Sequence, residues 1–237
     1  TDGMNGLSSS TDHLEGSSLV ELARLRRGCC RFAAALFLYP DRSRWAKLVG
    51  AARELEGETN SLALFPFFGP WQRLLTTLLK EDCKKVEGEY VRLFVVNPQA
   101  PPYESFYVDP GREATGWVTA RLAREYTQRG VTLSPSLQEP PDHVAVELEF
   151  MAFLCSREVE AWGRGTVSEG ADLLQSEQRF LDSHLGRWFP AFLRQVAATS
   201  RTDLYGVAVE AIYAFLHHDQ DLIALLLKRF QSAENGD

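Results

Sequence analysis

The sequence predicts an all-α protein, folded as a single-domain bundle of about nine or ten helices. Apolar residues recur at spacings of three and four along most of the chain, as they do on one face of a helix. No alternating run of β-branched residues flanked by turns is present. With 237 residues, the chain is long enough to bury a large core. Its composition, 45% hydrophobic and 24% charged residues, is that of an ordinary soluble globular protein.

The N-terminal segment, Thr1 to Ser18, is rich in Ser, Gly and Asp and lacks a basic region followed by an apolar one. We therefore expect a flexible tail over residues 1–17, not a secretory signal, and a helical domain over residues 18–237. The longest apolar run, Phe32 to Tyr39, is far shorter than the roughly 20 residues that span a bilayer. These features predict a cytoplasmic protein with no integral membrane segment.

The helices of the first half are bounded by recognisable caps. Ser18 and Glu21 have the spacing of a capping box, and the helix that they begin ends before Pro40. Asp41 or Ser43 then caps a second helix. Further helices are predicted over residues 71–80 and 83–94.

Two loops rich in proline interrupt this pattern, over residues 97–109 and 131–141. Proline removes a backbone donor and restricts the residue before it, so neither loop is expected to be helical. Between them, a helix over residues 113–128 is closed by Gly130. Long loops in compact domains are more often functional than incidental.

In the second half, Asp142 occupies the predicted N-cap of an apolar helix that reaches about residue 162. The glycines between Gly163 and Gly170 predict a turn, where a hinge for helix swapping could lie. The remaining helices are predicted over residues 171–184, 187–199, 203–217 and 220–231.

The search for reaction chemistry predicts no catalytic residues, no metal and no cofactor. No phosphate-binding loop, dinucleotide fingerprint or nucleophile elbow is present. The four cysteines form no CxxC pair and are expected to be buried thiols, while His217 and His218 are read as a polar helix end. The net charge of −7 also argues against nucleic-acid binding. A binding function is the prediction that remains.

Three motifs occur in order along the chain. The first is Tyr90-Val91-Arg92-Leu93-Phe94, followed after a gap by Pro101-Pro102-Tyr103-Glu104-Ser105-Phe106-Tyr107. The second is Glu139-Pro140-Pro141-Asp142-His143, and the third runs from Phe180 through His184-Leu185 to Trp188, with Phe192 four residues further on. Their order and spacing resemble the signature of the TorD/DmsD/NarJ family of redox-enzyme maturation chaperones, over about residues 17–230. Glu104 where some members have Gly, and the double proline before Asp142, are departures from the pattern.

The resemblance implies a TorD-like helical fold and a non-enzymatic, cofactor-free chaperone. Its expected partner is a molybdopterin-containing oxidoreductase, bound through its twin-arginine signal peptide and in its apo form, so that export waits for cofactor insertion. The expected oligomeric state is a monomer or a helix-swapped dimer. By resemblance, the peptide-binding residues are Tyr90, Leu93, Phe94, Pro102, Tyr103, Ser105, Tyr107, Glu139, Pro141, Asp142 and His143.

Several alternatives stay open at this point. The chain could be a NarJ-type assembly factor for an enzyme that is not exported, an adaptor subunit, or a weak nucleotide hydrolase with its site at Asp142-His143. Asp142 could act only as a cap, and Tyr90, Leu93 and Phe94 have the spacing of ordinary core residues. His184 is expected to hold two helices together.

Overall fold

In the computed structural model the chain folds as a bundle of α-helices, described over residues 5–57, 63–108, 115–134 and 138–234. These residues form ten α-helices and no strand, which confirms the predicted all-α class. The helices are α1 (Asn5–Leu36), α2 (Arg42–Gly57), α3 (Phe68–Leu78), α4 (Cys83–Tyr90), α5 (Glu104–Val108), α6 (Thr115–Gln128), α7 (Val144–Gly163), α8 (Val167–Ser183), α9 (Leu185–Thr199) and α10 (Asp203–Glu234). A five-residue π-helix, Val91–Val95, continues α4. None of the described helices has the length and apolar character needed to cross a membrane.

Helices α1 and α7 form the central pair of the bundle. The contact face of α1 carries small side chains, among them Ala23, Cys30, Ala33 and Ala34, all completely buried. Small residues let two helix backbones approach closely, so that the larger side chains of α7 fill the space on either side. Around this pair, α10 packs against α3, α8 and α9.

Some helix boundaries correct the sequence predictions. Helix α1 begins at Asn5, so the capping box predicted at Ser18 is wrong, and the flexibility expected for residues 1–17 stays a prediction. The turn after α7 is confined to residues 164–166, because Gly170 lies inside α8. A short helix, α5, occurs within the first proline loop. Asp41 does cap α2: its Oδ1 accepts hydrogen bonds from the amides of Ser43 and Arg44.

The largest correction concerns α10, which is continuous where two helices were predicted. The polar run at residues 217–220 lies in the middle of this helix and is not a helix end. Asp219 faces the interior, where it is 1% exposed, and His218 packs its ring against Phe65 and Phe67.

Asp219 belongs to a buried charge cluster built around Arg26 of α1. The guanidinium donates to Asp219 Oδ1 and to Glu158 Oε2 at 2.5 Å each, and also to Glu177. All four side chains are almost completely buried, so one cation joins α1, α7, α8 and α10. Burial raises the pKa of Glu177 well above its usual value, although the charge of Arg26 opposes this shift.

Candidate peptide-binding site

The two proline loops predicted from the sequence lie against each other. The amide of Glu104 donates to the carbonyl of Asp142, and the amide of Val144 donates to the carbonyl of Pro102, each at 2.9 Å. Tyr103 and His143 form an isolated antiparallel bridge. We call residues 101–105 and 139–144 the paired loops. Segments about forty residues apart in sequence are therefore fixed as one unit at the start of α5 and α7.

The carboxylate of Asp142 points inward and holds this unit together. Its Oδ2 accepts from the amide of Ser105, and its Oδ1 accepts from the hydroxyl of Thr119, both at 3.3 Å. Asp142 is only 2% exposed. It therefore stabilises the beginning of α5, and its predicted role as the N-cap of α7 is wrong.

His143 is the N-cap of α7 instead. Its Nδ1 accepts a hydrogen bond from the amide of Ala145 at 3.1 Å, which leaves the proton of the neutral ring on Nε2. Burial lowers the pKa of His143 to about 3. Its Nε2 lies 3.6 Å from the Glu139 carboxylate, too far for a hydrogen bond, and with a neutral ring the two side chains form no ion pair.

The exposed part of the paired-loop region is aromatic and acidic. The Tyr103 ring packs edge-on against His143, with 5.3 Å between ring centroids, and remains half-buried. Phe106 of α5 is 52% exposed. Tyr107 stacks on Trp188 of α9, which confirms Trp188 as a core residue. Glu139 and Pro141 are partly exposed beside Tyr103.

The motif residues of α4 and of the π-helix that follows it are buried behind this surface, with Tyr90 near Glu139 and Tyr103. Tyr90, Leu93 and Phe94 are nearly fully buried, as plain core residues would be. The Tyr90 hydroxyl donates to the carbonyl of Phe37, and the Phe94 ring meets Tyr205 edge-on at 5.1 Å. The paired loops do bring together Pro102, Tyr103, Ser105, Glu139, Pro141, Asp142 and His143, with Tyr107 at the end of α5.

Behind the paired loops lies a buried polar cluster that the sequence reasoning missed, except for His184. The Nδ1 of His184 lies 2.7 Å from Glu104 of α5, and its Nε2 lies 3.2 Å from Glu125 of α6. Burial lowers the pKa of His184, but its hydrogen bonds to these two carboxylates outweigh that effect and raise it above 6.5. His184 thus joins α5 to α6, as expected of a residue that holds two helices together, and keeps α5 in place.

Glu147 of α7 completes this cluster. It accepts a hydrogen bond from the indole of Trp188 at 3.1 Å. Burial and the nearby charge of Glu104 raise the pKa of Glu147 well above its usual value. Its position four residues after His143 on an apolar helix was the available signal, since a glutamate on a buried face needs polar partners.

The arrangement offers little to reaction chemistry. Asp142 and His143, the proposed centre of a nucleotide hydrolase, are 2% and 1% exposed and already bonded within the protein. Among the described residues, Cys155, Glu158 and Glu177 form the one group of candidate metal ligands. Arg26 already donates to both glutamates, so a guanidinium occupies the place that a cation would take. Three of the four cysteines are buried free thiols and Cys83 is half-buried, close to the prediction.

The bundle has the fold of the redox-enzyme maturation proteins. A crystal structure of a proposed redox enzyme maturation protein from Archaeoglobus fulgidus superposes with a TM-score of 0.56 at 24% identity, covering 81% of this chain and 93% of that chain. The sequence then defines the family. The model of the nitrate reductase delta subunit family matches residues 67–194, and the chain belongs to this family, which groups the TorD and NarJ proteins.

Relatives within the family carry the names of chaperones. The chain is 30% identical over 149 residues to the chaperone protein TorD of Vibrio cholerae serotype O1, an alignment that covers 61% of this chain and 64% of that protein. It is 32% identical over 151 residues to the selenate reductase assembly chaperone protein of Thauera selenatis, covering 61% and 77% of the two chains. It is similarly 32% identical over 143 residues to the chlorate reductase assembly chaperone protein of Ideonella dechloratans, covering 58% and 72%. These names agree with the non-enzymatic function predicted from the sequence.

Proposed function

We propose that the protein is a dedicated cytoplasmic chaperone for a molybdopterin-dependent oxidoreductase. It binds the N-terminal twin-arginine signal peptide of its client, the apo form of that client, or both, and so delays export until the cofactor is inserted. The observation that carries the proposal is the family match over residues 67–194, because that range contains both paired loops and His184. The names of the relatives, which include reductase assembly chaperones, support it.

The surface of the paired loops has the properties that such a ligand requires. A twin-arginine signal combines basic residues with an apolar stretch. Tyr103 and Phe106 offer partly exposed aromatic area, which binds apolar side chains with little loss of side-chain entropy. Glu139 is a partly exposed carboxylate near Tyr103, suited to a charged hydrogen bond with arginine.

The buried residues of the site act by positioning this surface. Asp142, His143 and the His184 cluster fix the two loops and α5 before any ligand arrives. Binding then costs less conformational entropy than it would if the loops had to order first. We therefore propose Glu139 and the exposed aromatic side chains as contacts, and Asp142 and His143 as positioning residues.

The test is a calorimetric titration with synthetic twin-arginine signal peptides of molybdopterin oxidoreductases from the same organism. We expect saturable binding at micromolar concentration or tighter. Glu139→Gln and Phe106→Ala should each weaken binding about tenfold, since each removes roughly 1.4 kcal/mol of contact energy. Glu160→Gln is the matched control, because Glu160 is exposed on α7 at the end remote from the paired loops.

Absence of peptide binding by a well-folded wild-type protein would rule out the signal-peptide form of the proposal. An assembly factor that binds the body of a non-exported oxidoreductase is the second candidate. The names of the selenate and chlorate reductase relatives, which refer to assembly, favour it. It predicts binding to the apo oxidoreductase from which the signal peptide has been removed.

A further inference from the structure

An apolar cavity of about 250 Å³ lies beside the paired loops, between the end of α6, the start of α7 and the segment that joins them. Its walls include Tyr126, Val131, Leu133, Val146 and Phe153. The Tyr126 hydroxyl donates to the carbonyl of Pro141 at 2.8 Å, so one wall of the cavity is attached directly to the paired loops. The cavity therefore adjoins the proposed peptide surface.

The sequence builds this cavity from two patterns. On α7, Val146, Glu149 and Phe153 are three and four residues apart and so share one helix face. Gly130 ends α6 with a φ of 76°, a conformation that favours glycine, and the chain turns there. In the extended segment that follows, Val131 and Leu133 alternate with exposed residues and line the cavity.

The lining determines the chemistry of an occupant. Among the described residues that line the cavity, Glu149 is the one that carries a charge, and the rest of the lining is almost entirely apolar. Glu149 is itself exposed, at the edge of the cavity. Partial burial raises its pKa, although the charge of Arg31 of α1 opposes this shift. The volume is below the roughly 300–1,000 Å³ typical of cofactor and drug-sized ligand pockets. A few apolar side chains with a cation beside them would match both the size and the charge.

We propose that this cavity receives apolar side chains of the client's signal peptide, while a basic residue of the same peptide pairs with Glu149. The inference rests on the proposed chaperone function and adds a specific subsite to it. The peptide would cross from the paired loops, past Pro141 and Tyr126, to the space beneath Leu133. Its basic and apolar parts would then contact Glu149 and the cavity walls at the same time.

The probe is a synthetic peptide with two consecutive arginines followed by leucine and alanine, with a benzophenone on one apolar residue. Binding is measured with wild-type protein and with Leu133→Asp and Glu149→Lys, and cross-linked residues are located by mass spectrometry. We expect about tenfold weaker binding in each variant. Leu133→Asp places a charge against the apolar part of the peptide, and Glu149→Lys places a positive charge against its basic residue. Cross-links should fall on residues 126–133 and on the first three turns of α7.

Two matched controls separate this subsite from general effects of charge. Leu225→Asp makes the same change on α10, where Leu225 is 65% exposed, and Glu160→Lys makes the same change elsewhere on α7. Both should bind within twofold of wild type. Circular dichroism establishes that all four variants are folded.

The possible outcomes distinguish the subsite from the function. If wild-type protein binds the peptide, but both cavity variants bind it equally well and cross-links fall elsewhere, the cavity proposal is overturned and the chaperone proposal stands. If folded wild-type protein does not bind the peptide, the cavity proposal and the signal-peptide form of the chaperone proposal are both overturned. If Leu133→Asp converts a dimer to a monomer in analytical ultracentrifugation, a second copy of this chain fills the cavity and the peptide proposal is overturned.

Discussion

Replacing Arg26 with methionine removes the single cation from a buried cluster that holds three carboxylates. Arg26 is 1% exposed and donates to Asp219, Glu158 and Glu177. Without it, the carboxyls must either remain charged in the interior or take up protons. Protonating one ordinary glutamate at pH 7 costs about 3.7 kcal/mol, from roughly 2.7 pH units at 1.36 kcal/mol each.

We therefore expect Arg26→Met to lower the free energy of unfolding by about 3–5 kcal/mol, the usual cost of breaking a buried ion pair from one side. That is a large fraction of the roughly 5–15 kcal/mol of a typical domain, so Arg26→Lys provides a milder variant. Lysine keeps the charge but cannot donate to three carboxylates in the geometry of a guanidinium, and we expect a loss of about 2 kcal/mol.

The assay is urea denaturation followed by circular dichroism and tryptophan fluorescence. Trp162 donates its indole N–H to Glu158 and so reports on the cluster directly. Arg24→Met is the matched control, because Arg24 lies one half-turn away on the same helix with 51% of its side chain exposed. It should change stability by less than about 0.5 kcal/mol.

The pH dependence gives a second arm to this experiment. Without Arg26, the cluster carboxyls have their pKa raised in the folded state by burial. Such groups favour the folded state fully below their unfolded pKa, and this stability is lost as the pH rises. The deficit of Arg26→Met should therefore be smaller at pH 5 than at pH 8. An Arg26→Met protein within 1 kcal/mol of wild type at pH 8 would refute the reasoning.

Three further changes test the packing, the electrostatics and the capping of the fold. A Cβ at Gly170 would lie 2.3 Å from the Trp162 ring, so Gly170→Ala should cost about 1–3 kcal/mol in urea denaturation, whereas Gly88→Ala, with open space around it, should be neutral or stabilising; equal effects would contradict the close contact. The pKa of His184 is raised in the folded state, so its stabilisation is complete below 6.5 and is lost as the pH rises through the raised value. His184→Gln should accordingly lose more stability at pH 6 than at pH 9, and a loss independent of pH would count against the paired carboxylates. Asp41→Ala should lower the melting temperature and Asp41→Asn should largely preserve it, because Asn still offers an acceptor to the first turn of α2; equal melting temperatures for both would argue against the cap.

The helical class and most helix positions could be predicted because they depend on local periodicity and local stop signals. Gly130 ends α6 as predicted, since a left-handed residue after a helix is a local requirement. Helix α10 shows the limit of this reasoning. A polar run at residues 217–220 resembles a helix end, but Asp219 is polar because its partner is Arg26, 193 residues away in sequence. No local pattern contains that information.

The candidate site was predictable as a set of motifs but not as a geometry. The sequence marks both proline loops, yet their pairing depends on backbone bonds between Pro102, Glu104, Asp142 and Val144. The Asp142 carboxylate faces inward and accepts from the Ser105 amide, a contact between the two loops that no local pattern in the sequence indicates. The motif at residues 90–94 is similarly recognisable, but only the packing shows that Tyr90 and Phe94 lie in the core.

The proposed function requires that the chain bind an oxidoreductase before the molybdopterin cofactor of that enzyme is inserted. The most direct measurement captures the purified protein with its client in two forms, apo and cofactor-loaded, and compares the two affinities by calorimetry. The account predicts binding of the apo form with its signal peptide at micromolar concentration or tighter, and at least tenfold weaker binding of the loaded enzyme without its signal peptide. Equal affinity for the two forms, or no binding of either by folded protein, would contradict it.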